Sequence, residues 1–147
     1  MSVTGDANGM MLLKDTLSSQ GIQFTELSSV DAQRVEERWL QAFAARVKKE
    51  KGTPIYQGFK WHGFSYGIEP AKTGEVALRA YQSQWAAPFY VFDEKLDYCL
   101  KCEGQPFPNL SELRADLYVV HHNMKWTMVF THEQPDLGPF FTTKKES

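Results

Sequence analysis

The chain has only two cysteines, no long hydrophobic run, no excess of charge of either sign and no glycine-rich phosphate-binding motif. Cys99 and Cys102 are too few for a disulfide framework. They lie three residues apart in a predicted strand, where alternating side chains point to opposite faces. A zinc site would need further ligands, and a redox Cys-x-x-Cys motif begins a helix. We therefore expect no metal ion and no cofactor.

The lack of hydrophobic runs and of excess charge limits the kinds of partner. No apolar run approaches the roughly 18 residues of a membrane-spanning helix, and the first residues lack the basic and apolar regions of a secretion signal. A cytoplasmic protein without membrane contact is expected. The 16 basic and 18 acidic residues give a net charge of -2, too weak a field to attract a nucleic-acid backbone. The slightly negative net charge argues against a nucleic-acid partner and mildly favours a basic protein partner.

What the chain does contain is typical of one folded domain. Its 147 residues, 42% hydrophobic and 14% aromatic, are enough to bury a single core. The small polar residues 1–9 and the last residues, 144–147, are predicted to be disordered tails. Residues 10–143 then form the domain.

Apolar periodicity predicts both helices and strands. The clearest helix follows Ser28, since Val35, Trp39 and Phe43 recur at helical spacing. Further helices are predicted at 10–19, 69–84 and 109–115. Strands with alternating apolar residues separate the helices and dominate the C-terminal part. The pattern predicts a single α+β domain with a mainly antiparallel sheet of about five to six strands and about three to four helices packed mostly on one face.

The C-terminal hairpin, residues 117–132, has the most specific strand pattern and three of the four histidines. A tight turn at Asn123-Met124 pairs Val119 with Met128 and gives one apolar face for the core. His121 and His132 cannot share a metal ion, because six residues of strand span about 20 Å. The opposite face is predicted to meet water or a thin covering layer, and it holds Tyr118, Val120, His122, Lys125, Thr127, Val129 and Thr131.

One polar corner, Thr131-His132-Glu133 before a Gly138-Pro139 turn, is not explained by core packing. His132-Glu133 resembles the start of a His-Glu-x-x-His zinc motif. However, Asp136 replaces the second histidine, and Pro135 would break the required helix. A histidine beside a carboxylate can still perform general acid–base chemistry. No Gly-x-Ser-x-Gly nucleophile motif accompanies it. His62 would join the corner only if its predicted strand lay beside this one.

Three short blocks resemble the C-terminal signature of a small bacterial domain family of unknown function. They are Trp126-Thr127, Thr131-His132-Glu133 and Gly138-Pro139-Phe140-Phe141. The segment from Trp61 to Tyr66 resembles a second, upstream block, so the resemblance covers about residues 25–141. Membership implies a bacterial or phage origin. Because the family has no established activity, the resemblance implies no catalytic residue.

The first functional interpretation is a cytosolic interaction protein, for example an immunity or antagonist protein that masks a toxin or enzyme. Small size, mild acidity and an aromatic-rich surface near Trp61, Tyr66 and Trp85 favour it. The absence of a recognisable catalytic set favours a protein that is not an enzyme.

The alternative is a hydrolase or small-ligand-binding protein with a pocket around His62, His132 and Glu133. A third interpretation is an oligomeric module, in which exposed aromatic residues pair with those of identical chains. The candidate binding residues of all these interpretations are Trp61, His62, Tyr66, His132 and Glu133.

Overall fold

The structure is a computed structural model that describes residues 6–43, 71–134 and 138–144. The strand predicted at 58–67 lies outside these ranges. The described α-helices are α1 (Asp6–Ser19), α2 (Ser29–Phe43) and α3 (Gly74–Gln82), with a short 3-10 helix at Ser111–Leu113. The described strands are β1 (Gln23–Glu26), β2 (Lys72–Thr73), β3 (Phe89–Asp93), β4 (Cys99–Glu103), β5 (Leu117–His121), β6 (Trp126–Phe130) and β7 (Phe140–Thr143).

The described strands form one antiparallel sheet in the order β1-β4-β3-β5-β6-β7-β2. The predicted α+β class with a mainly antiparallel sheet is confirmed. The sheet has seven strands, more than predicted, because Lys72–Thr73 pairs with β7 although it is too short to show alternation. This pairing keeps the main chain extended before Gly74, so α3 begins there instead of near Glu69.

Helices cover both faces of the sheet. The buried residues that α1 and α3 place against one face are Leu13, Leu17, Ala77 and Tyr81. The buried residues that α2 places against the other face are Ala32, Val35, Trp39 and Phe43. Two of the three described α-helices therefore share one face, in agreement with the prediction.

The hairpin face that was predicted to meet water or a thin covering layer is buried under α2. Tyr118 and Val120 belong to the core on that side. The Thr127 hydroxyl is also buried, where it accepts a hydrogen bond from Trp39 Nε1 at 2.9 Å and donates one to Val119 O at 2.8 Å. Of the two predicted alternatives, contact with water is wrong for these residues and a covering layer is present, because β5 and β6 carry apolar side chains on both faces.

The register of the C-terminal hairpin is the predicted one, with Val119 opposite Met128. Its turn closes one residue earlier than predicted, since the Met124 N–H donates to His121 O at 2.8 Å. Met124 has a φ of 62°, a conformation that usually favours glycine. Its side chain is buried in the core under α2, where a glycine would leave a cavity.

Candidate functional site

The polar corner after β6 contains a histidine held by a carboxylate. The Nδ1 atom of His132 lies 2.9 and 2.8 Å from Oδ1 and Oδ2 of Asp116. The main-chain N–H of His132 also donates to Asp116 Oδ1, at 3.1 Å. An ionised carboxylate only accepts hydrogen bonds, so it keeps a hydrogen on Nδ1 and leaves Nε2 as the acceptor of the neutral imidazole.

Glu133 lies on the other side of the imidazole. Its Oε2 atom is 3.5 Å from Nε2 of His132. The side chains of His132 and Glu133 are 39% and 43% exposed, whereas that of Asp116 is 11% exposed. A shielded carboxylate behind Nδ1 fixes the tautomer and the ring orientation, which is how general bases are commonly positioned.

The main chain of this corner is held by its neighbours. The Thr131 N–H donates to Gln134 Oε1 at 2.9 Å, and Gln134 Nε2 donates to Ser111 Oγ at 3.1 Å. Gly138, with a φ of 100°, lies so close that a Cβ atom there would be 3.0 Å from Thr131 Cγ2 and Oγ1. The Gly-Pro turn therefore contacts Thr131, and two blocks that are separate in the sequence meet in one corner.

The opposite end of the sheet has an exposed tryptophan. Trp85 is 92% exposed, in the loop 83–88 between α3 and β3, which confirms the expected surface position. The loop is held at both ends, since the Ser83 N–H donates to Arg79 O at 3.0 Å and Pro88 O accepts the His122 N–H at 3.1 Å. The second of these contacts joins the loop to the β5–β6 turn.

Basic side chains surround the same turn. Arg38 Nη2 donates to His122 O at 3.0 Å, and the Lys144 N–H donates to Lys125 O at 2.9 Å. Among the described residues, no carboxylate forms an ion pair with Arg38, Lys125 or Lys144. We call this surface the cationic end and define it as Arg38, His122, Lys125, Lys144 and the loop 83–88.

His121 is a buried histidine next to the cationic end. Its ring is buried, with its centroid 4.5 Å from that of the His122 ring, and its Nδ1 accepts the Asn123 N–H at 2.9 Å. Burial, with His122 and Lys125 nearby, lowers the pKa of His121 to about 4. His121 is therefore neutral at neutral pH.

Comparison with known proteins places the chain in a family. The family model of DUF4275, described as a domain of unknown function, matches residues 11–141. The chain belongs to DUF4275. The predicted membership of an uncharacterised small domain family is thereby confirmed, and the match spans the polar corner and, apart from Lys144, the cationic end. Neither the curated proteins nor the solved structures gave a match.

In this DUF4275 domain two of the residues that the sequence proposed for the site, the consecutive His132 and Glu133, have their side chains 3.5 Å apart. Trp61, His62 and Tyr66 lie outside the described residues. The approach of His62 to His132 therefore stays a prediction.

Asp116 is a residue of the DUF4275 corner that the sequence reading missed. It directly precedes β5, whose register pairs Leu117 with Phe130. Continuing that register by one residue places Asp116 opposite Thr131 and beside His132. The predicted register, extended by one residue beyond β5, would therefore have identified Asp116 as a neighbour of His132.

The two cysteines of this DUF4275 domain lie on opposite faces of the sheet, as predicted. Burial raises the pKa of Cys99 to about 12, with Asp93 as a smaller cause. Burial likewise raises the pKa of Cys102 to about 12, with Cys99 as a smaller cause. Both thiols are therefore protonated at neutral pH and poor nucleophiles.

Two features are absent from the described ranges of the chain. No cluster of three or more His, Cys, Asp or Glu side chains there has a geometry that could hold a metal ion. No helix in those ranges is long and apolar enough to cross a membrane.

Proposed function

We propose that this DUF4275 protein is a small cytoplasmic bacterial interaction protein, with an immunity or antagonist role in which it covers the active surface of a toxin or enzyme. The exposed Trp85 carries the proposal, because the fold holds it in water at 92% exposure. Tryptophan is enriched among the residues that contribute most to protein binding, since its rigid ring buries much apolar area with little loss of entropy.

Hydrogen bonds that hold the loop 83–88 support the proposal. Gln84 Nε2 donates to Ala80 O at 3.1 Å, and the contact between Pro88 and His122 fixes the other end. A loop that is ordered before binding loses less conformational entropy in the complex. Trp85 is therefore presented in a fixed place, which suits an anchor residue.

Trp85→Ala is expected to weaken binding of the partner by about 2 kcal/mol or more, which is about 30-fold. The free energy of unfolding should change by less than about 0.5 kcal/mol, because Trp85 belongs to neither core. The partner would be captured from bacterial lysate on the immobilised chain, identified by mass spectrometry, and purified for calorimetric titration.

Val76→Ala is the matched control for that titration. Val76 is another exposed apolar residue, 51% accessible, but it lies on α3 outside the loop. Its truncation should leave the affinity unchanged. Equal affinities of the two variants would contradict the role of Trp85, and a partner that proved to be a second copy of the chain would replace the antagonist proposal with an oligomeric one.

A second candidate function, a hydrolase or small-ligand-binding protein, is favoured by the contact of 2.8 Å between His132 Nδ1 and Asp116. In this role Nε2 would accept a proton from a water molecule that attacks a bound substrate. The carboxylates of Asp116 and Glu133 would stabilise the imidazolium that forms.

Hydrolysis of a p-nitrophenyl ester tests the second candidate. His132→Gln is expected to reduce the rate by about 100-fold, the usual contribution of a general base. Free imidazole at the same concentration serves as the control for catalysis without a protein site. If the wild-type chain hydrolyses the ester no faster than His132→Gln does, the hydrolase role is removed.

A further inference from the structure

The two ends of the described sheet differ in the sign of the charge that predominates in their turns. Basic side chains lie at the cationic end, around the β5–β6 turn. Carboxylates gather at the other end, in the β3–β4 turn and at the polar corner, and they are Asp93, Glu94, Asp97, Asp116 and Glu133. Lys95 and Arg114 offset only part of this negative charge. Glu103 is an exception, because it follows Cys102, which pairs with Phe89, and so lies near the cationic end. The net charge of -2 nevertheless conceals an uneven distribution.

We infer that the cationic end recognises an acidic protein surface, whose Asp and Glu side chains contact Arg38, Lys125 and Lys144 around the Trp85 ring. The inference rests on the proposed interaction function and adds the chemistry of the partner. Cations that lack ion pairs within the described chain keep their attraction for the carboxylates of another protein.

The guanidinium of Arg38 is already positioned for such a contact. One of its nitrogens, Nη2, donates to His122 O at 3.0 Å, which ties α2 to the β5–β6 turn. A guanidinium has five N–H donors, so most remain for a carboxylate, which can accept two of them side by side. Less side-chain entropy is then lost on binding than with a freely moving cation.

Two titratable groups, the buried His121 and the partly buried Asp93, agree with this difference between the two ends. At the cationic end, burial, His122 and Lys125 lower the pKa of His121 to about 4. At the other end, burial and the nearby Asp97 raise the pKa of Asp93 to about 6. At each end, neighbours of like sign add to the effect of burial.

Local charge, not net charge, selects the contacting surface, because salt screens exposed charges beyond about 10 Å. The net charge alone favours a basic partner, yet the cationic end presents the opposite sign. A partner surface with carboxylates beside an apolar pocket would match both the cations and the exposed Trp85 ring of the cationic end.

Fluorescence anisotropy with three labelled polymers tests the inference without the natural partner. The polymers are poly-L-glutamate, poly-L-lysine and oligothymidylate. The wild-type chain should bind poly-L-glutamate most tightly, and added salt should weaken this binding. Lys125→Glu should weaken it about tenfold, whereas Lys95→Glu, which changes the net charge equally but lies in the β3–β4 turn, should have less than about a twofold effect. Lys144→Glu provides a second charge reversal, and circular dichroism checks that each variant is folded.

Equal effects of Lys125→Glu and Lys95→Glu would overturn the inference, as would absence of poly-L-glutamate binding or tighter binding of oligothymidylate. These outcomes are distinct from failure of the proposed function. If a captured partner depends on Trp85 but binds Lys125→Glu normally, the interaction function stands and the acidic chemistry of the partner is wrong.

Discussion

Trp39→Ala should lower the free energy of unfolding by about 3–5 kcal/mol, as expected for removing a large buried aromatic side chain. Trp39 is fully buried between α2 and the sheet. Its ring centroid lies 5.0 Å from that of Tyr118 and 6.4 Å from that of Phe92, both with edge contacts. Its Nε1 also donates to Thr127 Oγ1 at 2.9 Å, so the truncation both opens a cavity and removes a buried hydrogen bond.

Urea unfolding followed by circular dichroism measures this change. Val30→Ala on the same helix is the control, because Val30 is 57% exposed and its truncation should shift stability by less than about 0.5 kcal/mol. A loss below about 1.5 kcal/mol for Trp39→Ala would mean that α2 does not pack on the sheet through this residue.

Tyr81→Ala should lower the free energy of unfolding by a similar amount, about 3–5 kcal/mol, from the opposite face of the sheet. Tyr81 is fully buried on α3, where its ring stacks on Phe107 at 5.6 Å and meets the edge of Trp126 at 5.7 Å. Its hydroxyl donates to Pro108 O at 2.6 Å. Burial raises the pKa of Tyr81 well above its ordinary value, so the phenol remains a hydrogen-bond donor at neutral pH.

Tyr81→Phe separates the two contributions in the same unfolding measurement. It keeps the ring but leaves Pro108 O without this donor, so a loss of about 1–2 kcal/mol is expected. If Tyr81→Phe were as destabilising as Tyr81→Ala, the hydrogen bond and not the aromatic packing would dominate at this site.

Much of the fold could be predicted because local patterns and register agree. Ser28 Oγ accepts the Asp31 N–H at 3.2 Å, which is the predicted cap of α2. The alternation that pairs Val119 with Met128 is also observed. The sequence left open whether water or a covering layer meets the second face of the hairpin, because periodicity shows which residues are apolar but not which helix reaches them. Burial of Thr127 depends on Trp39, a residue distant in the sequence.

The candidate sites were less predictable, because they depend on contacts between elements. The sequence marked His132 and Glu133 but not Asp116, whose role requires the register at the end of β5. The cationic end has no sequence pattern, since Arg38 reaches the β5–β6 turn from α2 and Lys144 joins it after β7. Such a cluster exists only once the sheet has brought these segments together.

Hydrogen–deuterium exchange of the chain, with and without its captured partner, tests most directly whether the cationic end is the binding surface. We expect slower exchange in the complex at residues 83–88 and 121–125, since the partner would shield those amides. Exchange at 93–97 and 131–134 should stay unchanged. Protection confined to 131–134, with none in the Trp85 loop or the β5–β6 turn, would contradict this assignment and move the binding surface to the corner around His132.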